Sequence, residues 1–258
     1  MEGDDDIMRH KLDLYRSAVQ HPLAEVDFLQ RVYRYHNGCW PTRLREDFAG
    51  TCAVAIAWVA MDENHRALAV ERHGPTARWA QRQIHRELGD RSEDLLLILD
   101  DVMQVRRPKV DVVAGLNFSV FGYHHRTTLR QYLRQSRRAL SQKGMLIIDV
   151  FGGPGATQTK TQTRRDHGLT YQWEQYSFDP ITHRIDCRMH FKLRGEGLRH
   201  NVFRYDWRLW SLPEICELML EAGFTATEVW SADAPGQFAP LQQMAARHEW
   251  VAYVVGLQ

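Results

Sequence analysis

Neither sign of charge is in excess in this sequence, because 33 Lys and Arg residues face 32 Asp and Glu residues over 258 positions. Proteins that attract nucleic acid or membrane surfaces through bulk charge show a clear imbalance, so we expect neither partner. Cysteine is scarce too, and no two cysteines form a CxxC pair; the four are Cys39, Cys52, Cys187 and Cys216. This spacing predicts neither a disulfide framework nor a metal site, and it suits a reducing cytoplasm.

Long apolar runs are also missing, and none approaches the ~20 residues of a membrane span. The first residues are acidic, unlike the basic start of a signal peptide. We therefore expect a cytoplasmic protein. With 44% hydrophobic residues, the chain can bury one large core, with room for an insertion.

Glycine is rare where a nucleotide-binding turn needs it most, since the turn after the first predicted strand holds Gly50 alone. This strand ends in Glu46 and Asp47, and a helix of small residues begins just after Thr51. Such a turn lets backbone approach a ligand, and the helix start offers unpaired N–H groups. Strand, turn and helix predict the opening of a nucleotide-binding βαβ unit.

Acids end the next two predicted strands as well. Residues 66–71 finish at Glu71, about twenty positions past the turn, where nucleotide folds place a carboxylate on ribose hydroxyls. Residues 95–99 run into Asp100 and Asp101, and a fourth strand at 110–116 runs into Asn117. Continuous apolar strands that alternate with amphipathic helices predict a parallel sheet buried on both faces. We expect the acids to share one rim of that sheet.

The pattern changes after residue 155. Polar residues 156–168 predict a loop, and strict alternation over 181–194 predicts a half-buried antiparallel strand. With the segments before and after it, this strand forms a predicted three-stranded insertion. A capping box at Ser211 and Glu214 then starts a helix, and two late strands follow.

These motifs resemble those of class I S-adenosylmethionine-dependent methyltransferases over about residues 42–256. In that family the first acid and a glycine-rich turn hold the methionine end of the cofactor, here Glu46 with Gly50. The second acid holds the ribose and the third the adenine amino group, here Glu71 and Asp101. Two family glycines fall at Phe48 and Cys52 in this chain.

The resemblance implies an α/β fold: a Rossmann-like seven-stranded, mostly parallel sheet with an antiparallel last strand. An N-terminal helical lid (1–41) and a three-stranded antiparallel β insertion (156–210) would flank the core, which is made of 42–155 and 211–258. We expect S-adenosylmethionine as cofactor, a small-molecule acceptor with a nitrogen or oxygen nucleophile, and a homodimer formed through the insertion. Neither nucleic acid nor membrane is an expected partner.

Site residues follow from the family motifs and from placement near the rim. The expected cofactor-binding residues are Glu46, Phe48, Ala49, Gly50, Glu71, Arg72, Asp101, Val102 and Asn117. The candidate catalytic residues are His124, Asp206 and Tyr15, and the candidate substrate residues are Tyr171, Trp173, Arg208 and Trp210.

Three alternatives remain open from the sequence. An NAD-dependent oxidoreductase would also use Glu71, but the turn lacks GxGxxG and gives the Asp100–Asp101 pair no role. A non-catalytic adenosylmethionine-binding protein would tolerate the missing glycines. A nucleic-acid methyltransferase is disfavoured by the neutral charge and by the absence of an Asn-Pro-Pro-Tyr type motif after strand four.

Overall fold

The computed structural model describes residues 2–166, 168–231 and 238–258. Six α-helices occur in this part of the chain: α1 Glu2–Val19, α2 Pro22–Asn37, α3 Ala53–Met61, α4 Gly74–Leu88, α5 Arg126–Ala139 and α6 Leu212–Glu221. None of these helices combines the length and apolarity that a membrane crossing would need.

Eleven strands in the described residues form two sheets. The larger sheet contains β1 Arg43–Asp47, β2 Arg66–Val70, β3 Leu95–Ile98, β4 Val110–Gly115, β5 Leu140–Gly152, β10 Ala226–Trp230 and β11 Trp250–Leu257. The smaller sheet contains β6 Lys160–Asp166, β7 Leu169–Asp179, β8 Arg184–Leu193 and β9 Arg199–Arg208.

The larger sheet has the order β10-β11-β5-β4-β1-β2-β3. Its neighbours from β5 to β3 pair in parallel, whereas β11 is antiparallel to both β5 and β10. The predicted seven-stranded sheet with an antiparallel last strand is therefore confirmed. This topology brings the carboxyl ends of β1 to β4 to one edge, where open α/β sheets bind ligands.

Helices cover both faces of this sheet, as the continuous apolar strands predicted. Helix α3 is buried around most of its circumference because it lies between α2 and the strands. Helices α5 and α6 bury their apolar sides against the opposite face. Thus α2 belongs to the main core, where Val26, Leu29 and Val32 are fully buried.

The smaller sheet has the antiparallel order β6-β7-β8-β9, one strand more than the predicted three. The extra strand β6 pairs with β7 from Lys160 opposite Gln175 to Asp166 opposite Leu169. Its sequence, KTQTRRD, carries no apolar alternation, so it joins the sheet through backbone pairing and polar side-chain contacts such as that of Gln162 with Glu249. For this reason the sequence indicated a loop there.

Helix α1 contacts both the main core, through α4, and the smaller sheet, through β9. Arg16 forms a two-pronged ion pair with Glu87 of α4, and Tyr15 packs on Phe203 of β9 with ring centroids 5.1 Å apart. Lys11 also lies over the Phe203 ring, 4.3 Å from its centroid. Helix α1 thus spans from α4 of the main core to β9 of the smaller sheet, and the role of residues 1–41 as a lid stays a prediction.

Gly115, the last residue of β4, lies in close contact with Tyr132 of α5 and Ile148 of β5. A Cβ there would lie 2.7 Å from the Tyr132 hydroxyl and 3.2 Å from Cγ2 of Ile148. We expect Gly115→Ala to lower the free energy of unfolding by about 1–3 kcal/mol through overpacking, measured by urea denaturation. Gly122→Ala is the matched control, since a Cβ there meets nothing within 4 Å. Equal stabilities for the two variants would contradict the packing argument.

Candidate functional site

The site begins at the edge where the parallel strands end. Glu46 lies within β1, Glu71 directly follows β2, and Asp101 comes soon after β3. Asn117 follows β4 after one intervening residue. The predicted rim of acidic and polar side chains is therefore assembled by the sheet topology.

The turn after β1 has a left-handed backbone conformation at three positions, although only one of them is glycine. Phe48, Gly50 and Cys52 have φ values of 54°, 52° and 56°, all in the left-handed region. A non-glycine residue held there costs about 1–3 kcal/mol. A Cβ on Gly50 would meet nothing closer than the Phe48 carbonyl oxygen at 3.8 Å, so the turn leaves open space at its centre. The missing glycines thus leave the shape of the turn unchanged.

Glu71 ties this turn to the end of β2. Its Oε2 accepts the Gly50 N–H at 2.9 Å, and its Oε1 accepts the His73 N–H at 2.7 Å. The buried Ala49 donates its N–H to the Val70 carbonyl at 2.9 Å. Each oxygen of Glu71 keeps a lone pair free for a further donor.

Glu46 is buried beneath the turn, and its Oε2 accepts the Ala55 N–H of α3 at 2.8 Å. Burial raises the pKa of this carboxyl to about 8, although the Ala55 N–H opposes the shift. An uncharged Glu46 in the free protein would gain its charge when a cation arrives beside it.

A fully buried ion pair holds the loop after β3. Arg45 donates to Oδ1 of Asp47 at 2.6 Å and to the carbonyls of Val102 and Val105 at 2.7 and 2.5 Å. The second Asp47 oxygen accepts the Tyr132 hydroxyl of α5 at 3.1 Å. The loop that carries Asp101 and Val102 is thereby fixed to β1.

Two other predicted residues lie on this rim. Asp101 uses Oδ1 to accept the Met103 N–H at 2.8 Å, which shapes the loop around it. Arg72 is exposed, and its charge acts on the hydroxyl of Tyr123. The charges of both residues act on the pKa of Tyr123, so both lie near that hydroxyl.

A cavity of about 890 Å³ lies beside Asn117, under the smaller sheet. Helix α1, the ends of β4 and β5, and strands β6, β7 and β9 all contribute to its wall. The lining includes four residues predicted from the sequence: Tyr15, Asn117, Tyr171 and Trp173. It also includes residues that sequence reasoning did not select: Glu25, Phe118, Asp149, Gln162, Gln175, Tyr205, Trp207 and Trp250.

Two carboxyl groups distinguish this cavity. Asp149 of β5 accepts the N–H groups of Asn117 and Phe118 at 3.0 and 2.8 Å, both of which have positive φ. Burial raises the pKa of Asp149 to about 7, and it raises that of Glu25 to the same value. The sequence offered one signal for Asp149, an acid inside the apolar run 145–150. Glu25 carried none.

Four predicted residues have no place in the cavity wall. His124 bonds through Nε2 to the Asp206 carbonyl at 2.7 Å, and Asp206 pairs with Arg184 on the exposed side of β8. Arg208 donates to the His124 carbonyl at 3.0 Å and stacks on Trp210. Trp210 is buried, with its N–H on the Tyr123 carbonyl at 2.9 Å.

These contacts fasten the end of β9 to the segment after β4. None of these four side chains is among the residues that line the cavity. The catalytic roles of His124 and Asp206 and the substrate roles of Arg208 and Trp210 stay predictions.

Comparisons with known proteins point to one fold. No protein-family model matches the chain, and no curated protein matches its sequence. Among solved structures, the chain is similar to DesVI of Streptomyces venezuelae, with a TM-score of 0.68, 15% identity and 95% of each chain covered. It is also similar to the sugar N-methyltransferase KedS8 of Streptoalloteichus sp. ATCC 53650, with a TM-score of 0.67 and 20% identity over 95% of this chain and 90% of that one.

A third similar structure is the amino pentose methyltransferase CalS10 of Micromonospora echinaspora with S-adenosylmethionine bound. Its TM-score is 0.63 at 15% identity, covering 93% of this chain and 94% of that one. At these identities the likeness establishes the fold. The chain has the fold of class I S-adenosylmethionine-dependent methyltransferases, as the sequence motifs predicted.

The buried Arg45–Asp47 pair allows a direct test of what holds the rim together. Arg45→Met leaves Asp47 buried without its cation, so we expect the free energy of unfolding to fall by about 3–5 kcal/mol, measured by urea denaturation. The double variant Arg45→Met/Asp47→Asn should recover part of this loss. Arg43→Met, at the exposed start of the same strand, is the control and should change little. A loss in the control equal to that in Arg45→Met would refute the argument.

Proposed function

We propose that this protein is an enzyme that transfers the methyl group of S-adenosylmethionine to a nitrogen or oxygen atom of a small molecule. One observation carries the proposal: Asn117 follows a strand at the same sheet edge as Glu46, Glu71 and Asp101, and it also lines the cavity. A cofactor site and an acceptor site that meet at one point suit a two-substrate transfer reaction. A cavity of about 890 Å³ matches the size of pockets for drug-sized molecules.

The residues on the rim fit this cofactor. The open space at Gly50 and the buried Glu46 suit a methionine ammonium group, and Glu71 keeps acceptor capacity for ribose hydroxyls. Asp101 lies on the loop fixed by Arg45, where it can accept from the adenine amino group. When bound, the cofactor would supply a methyl group on a sulfonium, whose carbon an acceptor lone pair would attack in line, with the thioether sulfur as the leaving group.

In such a displacement, alignment and exclusion of water are the main tasks of the protein. Asn117 and Phe118 stand where the rim meets the cavity, and Asp149 fixes their backbone through two hydrogen bonds. Tyr171, Trp173, Tyr205 and Trp207 form an apolar wall opposite. Burial raises the pKa of Tyr15, followed by the charges of Asp149 and Glu25, so this phenol stays protonated and orients the acceptor as a hydrogen-bonding group.

The alternatives differ from this proposal in ways the structure addresses. A dinucleotide-binding oxidoreductase has the sheet order 3-2-1-4-5-6, whereas here the antiparallel β11 lies between β5 and β10. A non-catalytic binder has no use for an acceptor cavity next to the cofactor rim. The homodimer through the smaller sheet and the exclusion of nucleic acid stay predictions.

Calorimetric titration tests the proposal most directly. We expect S-adenosylmethionine and its demethylated product to bind, and NAD not to bind. Mass spectrometry of a reaction with mixed amines and phenols should then show products heavier by one methyl group. Binding of the cofactor with no product from any acceptor would favour the non-catalytic alternative.

Glu71 provides a residue-level test. Glu71→Ala removes a charge-assisted hydrogen bond to a ribose hydroxyl worth about 1.5–3 kcal/mol, so we expect a ~10- to 150-fold weaker dissociation constant by calorimetry. Because Glu71 also accepts the Gly50 N–H, Glu71→Gln, which keeps one acceptor, should show a smaller loss. Glu63→Ala, exposed before β2, is the control. An unchanged constant in Glu71→Ala would remove the ribose assignment.

The raised pKa of Glu46 predicts how cofactor affinity depends on pH. Its carboxyl is largely protonated below about 8 in the free protein, and pairing with the cofactor ammonium requires the charged form. Affinity for S-adenosylmethionine should therefore rise by up to about tenfold per pH unit between roughly pH 6 and 7.5. Glu46→Gln should abolish this slope. A slope retained in that variant would assign the titration to another group.

A further inference from the structure

Glu25 is a carboxyl group in the cavity wall that has no role in the proposed function. It lies in the first turn of α2 and lines the cavity. Its Oε2 is buried and has no hydrogen-bond partner among the described residues. Polar atoms buried this way are rare in folded proteins, because each one loses its interaction with water without replacement. The oxygen therefore marks a place where a donor is missing.

The groups whose pKa responds to the charge of Glu25 are Asp149, Glu46 and Tyr15, and the exposed His21 side chain also lines the cavity. Asp149 lies across the cavity on β5, and its pKa is raised by burial and then by the charge of Glu25. Glu46 of β1 and Tyr15 of α1 also respond to the Glu25 charge. On its own helix, the His21 backbone N–H favours the charged form, but burial outweighs it.

Cations near the cavity are already paired or exposed. Arg16, whose charge acts on Glu46, forms its ion pair with Glu87 outside the cavity. Arg164 and Arg247 line the cavity but are solvent-exposed, where their charges are screened. The inner end of the cavity thus has two carboxyl groups and, among the described residues, no buried cation to compensate them.

Aromatic rings complete the surroundings. Tyr171 and Trp173 of β7 and Tyr205 and Trp207 of β9 line the same cavity, with the Tyr205 and Trp207 centroids 4.4 Å apart. The faces of such rings attract cations through their quadrupole. A cation with several N–H groups would donate a hydrogen bond to Glu25 Oε2, pair with the carboxylate of Asp149 and contact these ring faces at the same time.

We propose that Glu25 and Asp149 form an ammonium-binding subsite, so that the methyl acceptor is a primary or secondary amine. This inference rests on the proposed methyl transfer and names its substrate class. The amine enters as an ammonium ion and donates to Glu25 Oε2 and to a free lone pair of Asp149.

The chemistry balances within this subsite. The ammonium gives one proton to a carboxylate of the pair, which frees the nitrogen lone pair. That lone pair forms the new N–C bond while the S–C bond of the cofactor breaks and its electrons return to sulfur. The product carries the positive charge that the sulfonium loses, and the protonated carboxyl returns its proton to solvent.

The test compares amines with alcohols of the same carbon skeleton, such as benzylamine with benzyl alcohol, across a panel of paired ring sizes. Calorimetry measures their binding to the complex with S-adenosylhomocysteine. We expect amines to bind at least about tenfold more tightly than their alcohols, the ratio that one charge-assisted hydrogen bond supplies. In Glu25→Gln this preference should fall to a few-fold or less, while Glu25→Asp keeps most of it. Glu217→Gln, exposed on α6, is the control and should behave as the unaltered protein.

Thermal melting supplies a second readout that is independent of any acceptor. Because burial raises the pKa of Glu25 from 4.5 to about 7, this residue lowers the free energy of unfolding as pH rises between these two values, and the loss then stays constant. Glu25→Gln should therefore melt at a higher temperature than the unaltered protein at pH 8, with the difference shrinking towards pH 4. A residue with only a structural role would lower the melting temperature when replaced.

The outcomes separate cleanly. No binding of S-adenosylhomocysteine would contradict the proposed function itself. If S-adenosylhomocysteine binds, two results would overturn the ammonium subsite alone. One is equal affinity for amines and alcohols, and the other is no detectable amine binding at millimolar concentration. The subsite would also be overturned by an amine preference that survives in Glu25→Gln, or by a Glu25→Gln variant less stable than the unaltered protein at pH 8.

Discussion

The buried pair of Arg45 and Asp47 is the constraint on which the rest of the site depends. Both side chains lie in β1 and are fully buried, so each charge exists there only because the other is present. The guanidinium reaches the loop after β3 through Val102 and Val105, and the carboxylate reaches α5 through Tyr132. A strand, a loop and a helix are thus fastened at one point below the strand ends. Neither Glu46 nor Asp101 forms an ion pair with another described residue, which suits the cofactor-binding roles proposed for them.

Three other carboxyl groups lower the stability of the folded protein at neutral pH. Glu25, Glu46 and Asp149 have no ion-pair partner in the part of the chain that the structure describes, and burial raises the pKa of each. A group whose pKa is raised by folding contributes fully to the free energy of unfolding at a pH below its pKa in the unfolded chain, here about 4–4.5. This contribution is lost as pH rises towards the folded-state pKa of about 7 or 8. The site therefore reduces the stability of the free protein at neutral pH. Such a reduction is typical of pockets that are arranged for a ligand rather than for the fold.

Much of this architecture was readable from the sequence because its signals are strong and local. Acids at the ends of apolar strands predicted the rim at Glu46, Glu71 and Asp101, since parallel strands share an edge. Strand β6 was not readable, because a polar segment pairs through its backbone, which leaves no trace in side-chain alternation. The contact of His124 with Asp206, away from the cavity lining, depends on how the chain turns after β4 and β9. Glu25 lies on a helix far in sequence from the rim, and only the packing of α2 against the sheet brings it to the cavity.

The left-handed residues of the first turn have a consequence for how such proteins are recognised. Phe48 and Cys52 adopt the φ angles that glycine adopts freely, so the turn keeps its left-handed backbone at two positions that have no glycine. A sequence pattern that demands glycine at these positions passes over this chain, whereas a comparison of backbones does not.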